Sequence, residues 1–512
     1  MKKMKMLFVY PDIGAGGMNF SPAIEILSAV LKQNGVKTDL FHIHARSQEE
    51  VDFDKIYEKI MEFCPNLIGF SATTYQYKIC NDIAGYMKYR GVIVPIILGG
   101  IHATIAPQDL YKSNFDGFAI GEGEKTLVDL MYKIQIGQDY RRTRGFYFKK
   151  SGQIIKNSQG EVIEDLEELP HRDYEIFNVK QILKEKHQWF SIAFSRGCPY
   201  TCNFCINEKL RDVYKGDRLL PYYRLCSVER AIDELKQVVR KYGDDITLIN
   251  LDDDLLLLDK LWFLDFAERF YKEIYQPYGI KYAINGRANL VNEEIAKALS
   301  RSGCDLIRMG FETGDEKLRN LVLNKSLSDS QLKHAFSLCR TYQIRSCAFT
   351  MIGIPHESEK SLKKTMELLC ELKPSLIRLA IYEPFIGTSL YDYCIEQGFL
   401  TEEHMVSPNC FHLSSLKFDE IDYEVLILYH LMFPWYLNCL YLPEKYRAIY
   451  EKVIDDFYDG KEAVRHHHLH QSRILEKDVL ISRLLEEQKI PHFRFLENNT
   501  SYVELYEPKE VN

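Results

Sequence analysis

Three cysteines, Cys198, Cys202 and Cys205, stand within eight positions of the stretch FSRGCPYTCNFCIN, residues 194–207. Thiolates are soft metal ligands, and three are one short of the four that a closed zinc site or an ordinary iron–sulfur cluster uses. The nearest later cysteine, Cys226, has no paired partner close by, which argues against a structural zinc site. A redox pair of Cys202 and Cys205 leaves the third thiol unexplained. Inert buried cysteines rarely cluster at i, i+4, i+7 in a loop interrupted by Gly and Pro. The open arrangement remains: three thiolates hold three irons of a 4Fe–4S cluster, and the fourth iron is left to bind a substrate or cofactor.

Two series of βα units are available to position such a site. In the first, residues 5–10, 38–43, 67–72, 94–100 and 117–121 are short apolar runs rich in β-branched and aromatic residues. Helical patterns such as 21–34 and 76–90 lie between them, the rhythm of a parallel doubly wound sheet. Ligands of such sheets bind beyond the carboxyl ends of the strands. The segments there read PDIGAGG, SATTYQY, GGIHAT and GEGEKT, with small residues and hydroxyls where a backbone must approach a ligand closely.

A second series has strands at 191–195, 246–251, 281–286, 305–310, 346–353 and 375–382, which predicts a partial (β/α)6 barrel. Its chemistry is expected at the C-terminal strand ends. Those ends carry the cysteine trio, DDD (252–254), NGR (285–287), FETG (311–314), GIP (353–355) and EPFIGT (383–388). Polar and turn-forming residues thus gather at one rim of one sheet.

Composition narrows the remaining classes. The 512-residue chain has 65 basic and 73 acidic residues and a formal charge of −8, which gives no polybasic signature for nucleic acid or a membrane surface. Thirteen cysteines without regular spacing, apart from the trio, indicate reduced thiols and a cytoplasmic chain. The opening MKKMKMLFVYPDIG reads as a first strand and not as a signal peptide. Residues 425–442 are apolar enough to consider as a membrane span, but His430, Pro434 and Asn438 favour a buried helix broken near Pro434. The run HHHLH, 466–470, could bind metal, but consecutive histidines do not face one way on a helix, and a solvated face is expected. The expected domains are 1–140, doubly wound; 141–188, a linker with a hairpin; 189–394, the partial barrel; and 395–512, a mostly helical cap. Trp435 and its aromatic neighbours in that cap are where substrate specificity is sought, the alternative being that the cap only plugs the barrel.

RGCPYTCNFC resembles the CxxxCxφC signature of radical S-adenosylmethionine (SAM) enzymes, with Phe204 as the aromatic φ. The resemblance implies that the amino and carboxylate groups of SAM chelate the open iron, and that electron transfer yields a 5′-deoxyadenosyl radical. It also implies SAM contacts for Phe204, for Asp252 and Asp253 as a variant of the second-strand motif, for Arg287 towards the SAM carboxylate, and for Glu312 in the Gly-x-Glu motif. GIP is similar to the family's adenine-side segment.

A doubly wound domain ahead of this barrel is similar to the cobalamin-binding subclass, and the resemblance spans residues ~1–400. It implies a corrinoid contacted by Ser71, Thr73, Thr74, Tyr75, Gly99, Gly100, His102, Gly121 and Glu122. The DxHxxG motif that supplies a cobalt ligand elsewhere is absent, and His102 is expected in a structural or tail-binding role. The reaction most common in the subclass is methylation of an unactivated carbon, sometimes phosphorus. Rearrangement, cyclisation or coupling, with or without cobalamin, is the alternative, and a non-catalytic corrinoid or cluster sensor a third reading. The implied partners are a small-molecule or peptide substrate and an external electron donor such as flavodoxin or ferredoxin. The residue that acts on the substrate is not identified by the sequence.

Overall fold

The computed structural model describes residues 3–13, 17–45, 47–215, 222–401, 413–458, 460–496 and 499–508. The chain forms two compact units. One comprises Met1–Pro199, Cys205–Asp254 and Lys272–Ile280; the other comprises Tyr200–Phe204, Leu255–Tyr271 and Lys281–Asn512.

In the first unit, strands β1 (Lys5–Ile13), β2 (Lys37–Ala45), β3 (Leu67–Ser71), β4 (Ile96–Gly99) and β5 (Gly117–Ala119) are parallel. β6 (Phe146–Lys150) and β7 (Gln153–Lys156) add an antiparallel hairpin, giving the order β2-β1-β3-β4-β5-β6-β7. The hairpin foreseen in the linker is therefore the outer edge of this sheet. Its crossovers include α1 (Pro22–Gln33), α2 (Phe53–Phe63), α3 (Thr74–Tyr89), α4 (Ile101–Ile105) and α5 (Glu124–Gln135). Caps fix where these helices begin: Asp52 accepts from the Asp54 and Lys55 amides, and Gln76 reaches back to the Thr73 amide and hydroxyl. Leu7, Val9, Ile68, Phe70, Ile96 and Leu98 form a continuous buried core, as strands covered on both faces require.

The same unit holds α6 (Val179–Glu185), β8 (Trp189–Ile192), the short ribbon β9 (Ser195–Arg196) with β10 (Arg224–Leu225), and β11 (Leu248–Leu251), which pairs parallel with β8. Between β9 and β10 runs α7 (Ile206–Lys215), and α8 (Val228–Tyr242) precedes β11. β8 ends at Ile192, earlier than the pattern 191–195 predicts. The Phe194 and Ser195 amides turn away from strand pairing and donate to Asp253 Oδ1 at 2.8 and 2.5 Å.

The second unit continues the βα series with α9 (Lys260–Phe270), β12 (Lys281–Gly286), β13 (Cys304–Glu312), β14 (Arg345–Ile352) and β15 (Leu376–Ile381); its four strands are mutually parallel. The C-terminal part is largely helical, with one addition that local pattern did not predict. β16 (His492–Leu496) and β17 (Asn499–Tyr506) form a hairpin, and β17 pairs antiparallel with β15.

Residues 425–442 form two buried helices, Tyr423–Leu431 and Phe433–Tyr441, with the break at Met432 just before Pro434. No helix among the described residues is long and apolar enough to cross a membrane. Asn438, fully buried, donates to the Phe493 carbonyl (2.7 Å) and accepts from its amide (2.9 Å). Asp478 accepts from the Phe495 amide (2.9 Å) and from Trp435 Nε1 (2.7 Å). Trp435 is thus a core residue and not a surface for substrate selection. In the histidine run, His467 and His470 are buried at i, i+3 on one helix face, so only part of it meets solvent.

Trp435→Phe keeps the ring but leaves the buried Asp478 oxygen without its donor. It is expected to lower stability by about 1–3 kcal/mol, read as a drop in the urea midpoint of unfolding.

Candidate functional site

In the first unit a cavity of about 320 Å³ lies over β1, β3 and β4, between α1 and α5. Its size falls within the usual range for small-molecule sites. Met6, Phe8, Leu27, Ile97 and Leu127 supply an apolar lining. Met6 and Phe8 alternate along β1 and so share a face. Gly69 on β3 makes room for them: a Cβ there would collide with the end of the Met6 side chain.

Two glycines shape the rim. Gly100 has φ +91°, and a Cβ would sit 2.8 Å from the Ala72 carbonyl oxygen; Gly121 has φ +83°, and its Cβ would press on the Tyr214 ring at 3.3 Å. Both conditions exclude side chains, so the backbone is bare where a ligand would pass. Thr104 joins the two turns by donating to the Gly100 carbonyl (3.1 Å) and accepting from the Gly121 amide (3.1 Å).

Of the residues expected to contact a corrinoid, Ser71, Gly99, Gly100, Gly121 and Glu122 line this cavity. Thr73, Thr74, Tyr75 and His102 do not. Thr73 opens α3 through its capping box with Gln76. The buried His102 ring stacks on Tyr77, with centroids 3.9 Å apart. Its Nδ1 lies 3.4 Å from Thr74 Oγ1 and its Nε2 3.3 Å from the Asp109 carboxylate, an enclosed structural position.

Glu122 is a wall residue held by charge. It pairs with Arg196 (2.9 Å) and bidentately with Arg224 (3.0 and 2.8 Å), and accepts from the Ile163 amide (2.8 Å). Burial works against its charge, but Arg196 and Arg224 outweigh burial and hold the carboxyl below its ordinary range. Arg196 also meets Glu124 at 2.5 Å. Sequence reasoning missed Arg196, Glu124, Thr104 and Tyr214. Thr104 and Glu124 stand in strand-end segments that the sequence marks, but their contacts join positions distant in the chain and become visible only on folding.

At the rim of the βα series, Asp252 is exposed and accepts from Asn250 Nδ2 (2.6 Å). Asp253 is buried and accepts from two amides and the Ser195 hydroxyl (2.5 Å), so it builds the turn that leads into the cysteine loop. Burial raises its pKa to about 6 despite these donors.

In the second unit, Cys202 is buried, and the Arg287 guanidinium comes within 4.0 Å of its sulfur. Arg287 lies 3.9 Å from the Tyr200 ring centre and donates through Nη2 to the Lys325 and Ser326 carbonyls. Among the described residues its buried Nε has no hydrogen-bond partner, a donor available to an acceptor on a ligand. Glu312 ends β13 in the left-handed region at φ +67° and forms a buried ion pair with Lys325 at 2.5 Å. Phe204 is half-buried, its ring 5.7 Å from Lys325 Nζ.

The thiols suit iron–sulfur ligation in kind. None of the described cysteines is disulfide-bonded, and Cys198 and Cys205 are half-buried. Among the described residues no three His, Cys, Asp or Glu side chains converge on a single ion. A cluster does not ask for that, because each cysteine ligates a different iron.

The family model of the radical SAM superfamily matches residues 192–369, and that of the B12 binding domain matches residues 15–131. The chain therefore carries a radical SAM domain, with a B12-binding domain ahead of it. It is a radical SAM enzyme with an N-terminal B12-binding domain, and its cofactors are a 4Fe–4S cluster, SAM and cobalamin.

It is similar, at 26% identity over 410 residues, to an uncharacterised methyltransferase of Pyrococcus horikoshii, covering 78% of this chain and 85% of that one. It is 26% identical over 413 residues to the anaerobic magnesium-protoporphyrin IX monomethyl ester cyclase of Cereibacter sphaeroides, covering 77% and 64%. The fold matches that of the cobalamin-dependent SAM radical enzyme OxsB, solved with aqua-cobalamin and SAM bound. There the TM-score is 0.67, the identity 16%, and the coverage 96% of this chain and 76% of that one.

Gly100→Val is expected to abolish corrinoid retention while leaving bound iron unchanged, read from absorption spectra and iron content after anaerobic reconstitution. A second outcome concerns pH. The raised pKa means that Asp253 contributes stability that is complete below the ordinary aspartate range and is lost as pH rises through 6. Asp253→Asn should therefore flatten the stability difference of the apoprotein between pH 4 and 7 by about 2–3 kcal/mol, measured by urea titration at each pH.

Proposed function

We propose that this radical SAM enzyme transfers a methyl group to an unactivated carbon, or to phosphorus, of a small-molecule or peptide substrate. The observation that carries the reading is the presence in one chain of the glycine-rimmed cavity of the B12-binding domain and the cysteine trio of the radical SAM domain. When bound, the cluster with SAM supplies a hydrogen-abstracting radical, and cobalamin supplies a methyl group that a carbon radical can take.

The chain's own residues bind and orient. Cys198, Cys202 and Cys205 hold three irons through soft thiolates. Arg287 offers its unpartnered Nε and its charge to the SAM carboxylate. Glu312 offers a carboxylate oxygen to the ribose or amino group, and Asp252 stands exposed at the second strand end. Phe204 gives the cofactor an apolar surface beside the cysteines. Ser71, Gly99, Gly100, Gly121 and Glu122, which line the cavity, would border a bound corrinoid, and Met6 and Phe8 would help exclude water from it. Reduced flavodoxin or ferredoxin is the proposed electron source, in the cytoplasm, where thiols stay reduced.

Ring formation or rearrangement is the second reading. It draws support from the cyclase of Cereibacter sphaeroides, which is as similar in identity as the methyltransferase of Pyrococcus horikoshii.

Anaerobically reconstituted full-length enzyme, reduced in the presence of SAM, is expected to yield S-adenosylhomocysteine together with a methylated product. Deoxyadenosine without S-adenosylhomocysteine would favour rearrangement, and neither product would overturn both readings. Cys202→Ala should abolish all turnover; a fully active variant would remove the cluster from the reaction.

A further inference from the structure

We propose that Lys325 is a positioning residue that ties residues 201–204, Cys202 among them, to Glu312 and Arg287, and so sets how these groups are presented to SAM. This rests on the roles given above to Cys202, Arg287 and Glu312.

The segment Val322–Ser326 grips residues 201–204. Asn203 donates its amide to the Leu323 carbonyl (3.0 Å) and its side chain to the Val322 carbonyl (3.0 Å). Asn324 returns the contact by donating to the Thr201 carbonyl (2.7 Å) and hydroxyl (3.2 Å). Lys325 then makes three links from one residue. Its carbonyl accepts from Arg287 Nη2, its ammonium pairs with Glu312 at 2.5 Å, and the same ammonium stands 5.7 Å from the Phe204 ring centre. Arg287 in turn reaches Cys202.

The segment is shaped and held for this task. Residues Leu318–Val322 form a π-helical turn, in which the Leu323 amide donates to the Leu318 carbonyl, a geometry enriched at functional sites. Asn324 (φ +49°), Ser326 (φ +50°) and Glu312 (φ +67°) all occupy the left-handed region, which persists where surroundings enforce it. Arg319, fully buried, donates to the Thr313 and Leu327 carbonyls and to Asp329, fixing the segment from behind.

Stability alone does not account for the pair. A buried Lys–Glu contact costs desolvation that an apolar pair would avoid. Gly310 is also spent on it, because a Cβ there would collide with both Glu312 Oε1 and Lys325 Nζ. What the pair supplies is a fixed orientation for a carboxylate and, through the backbone of the same residue, for a guanidinium.

The test uses reconstituted full-length Lys325→Met and, as an independent route to the same pair, Gly310→Ala. Iron content and corrinoid retention should match wild type. SAM affinity should fall about tenfold, and the change that SAM induces in the electron paramagnetic resonance spectrum of the reduced cluster should be lost or altered. If both variants bind SAM within about twofold of wild type with an unchanged spectral response, the inference is overturned. Tighter binding in either variant would also overturn it, since Lys325 would then be a competitor for Glu312. If the wild-type spectrum does not respond to SAM, the underlying assignment of the site fails, and the inference with it.

Discussion

A loop that must present three thiols to a cluster cannot also satisfy its own backbone. It is interrupted by Gly197 at φ +84° and Pro199, forms no helix or strand of its own between Gly197 and Cys205, and yet is partly buried. Unpaired buried amides and carbonyls are costly, so partners must come from elsewhere. Within the second unit they do: the Thr201 carbonyl and the Asn203 amide are met by residues 323–324, and the Asn203 carbonyl by the Leu390 amide. Within the first unit, Asp253 collects the Phe194 and Ser195 amides just ahead of the loop. Asp253 at the second strand end and the polar residues after β13 are therefore architectural, bracing the loop from two sides of the sequence.

The cavity of the B12-binding domain solves a different problem. A large, mostly apolar ligand with polar edges needs a smooth wall and a few fixed charges. Alternation on β1 and the bare glycine turns give the wall. The Glu122–Arg196–Glu124 arrangement, closed by Arg224, fixes the charges without leaving any buried carboxylate or guanidinium unbalanced.

The sequence made the type of fold legible because both βα series are strongly periodic, and short apolar runs marked nearly every strand. It made Cys198, Cys202, Cys205, Arg287 and Glu312 visible because each belongs to a local motif. Local pattern could not reveal Lys325, Arg196 or Thr104, whose significance comes from partners brought near only by folding. It places Thr73 beside a corrinoid by its position after a strand, and leaves His102 between a structural and a tail-binding role. A hydroxyl after a strand is also what starts a helix, and a histidine there is also a ring to pack. The C-terminal hairpin escaped for a related reason. Its register is set against β15, more than a hundred residues earlier: Leu376 stands opposite Glu504.

That hairpin has a consequence for how the molecule behaves in a crowded solution. An outermost strand with free amides and carbonyls is a template on which another chain can grow. β16 occupies that place, but the Phe493 amide and carbonyl are taken by the Asn438 carboxamide, and the Phe495 amide by Asp478. Two side chains from neighbouring helices thus imitate a further strand, so these groups cannot recruit a stranger. Asn438, the polar residue that made the apolar stretch 425–442 a poor membrane span, is one of the two that guard the molecule against aggregation.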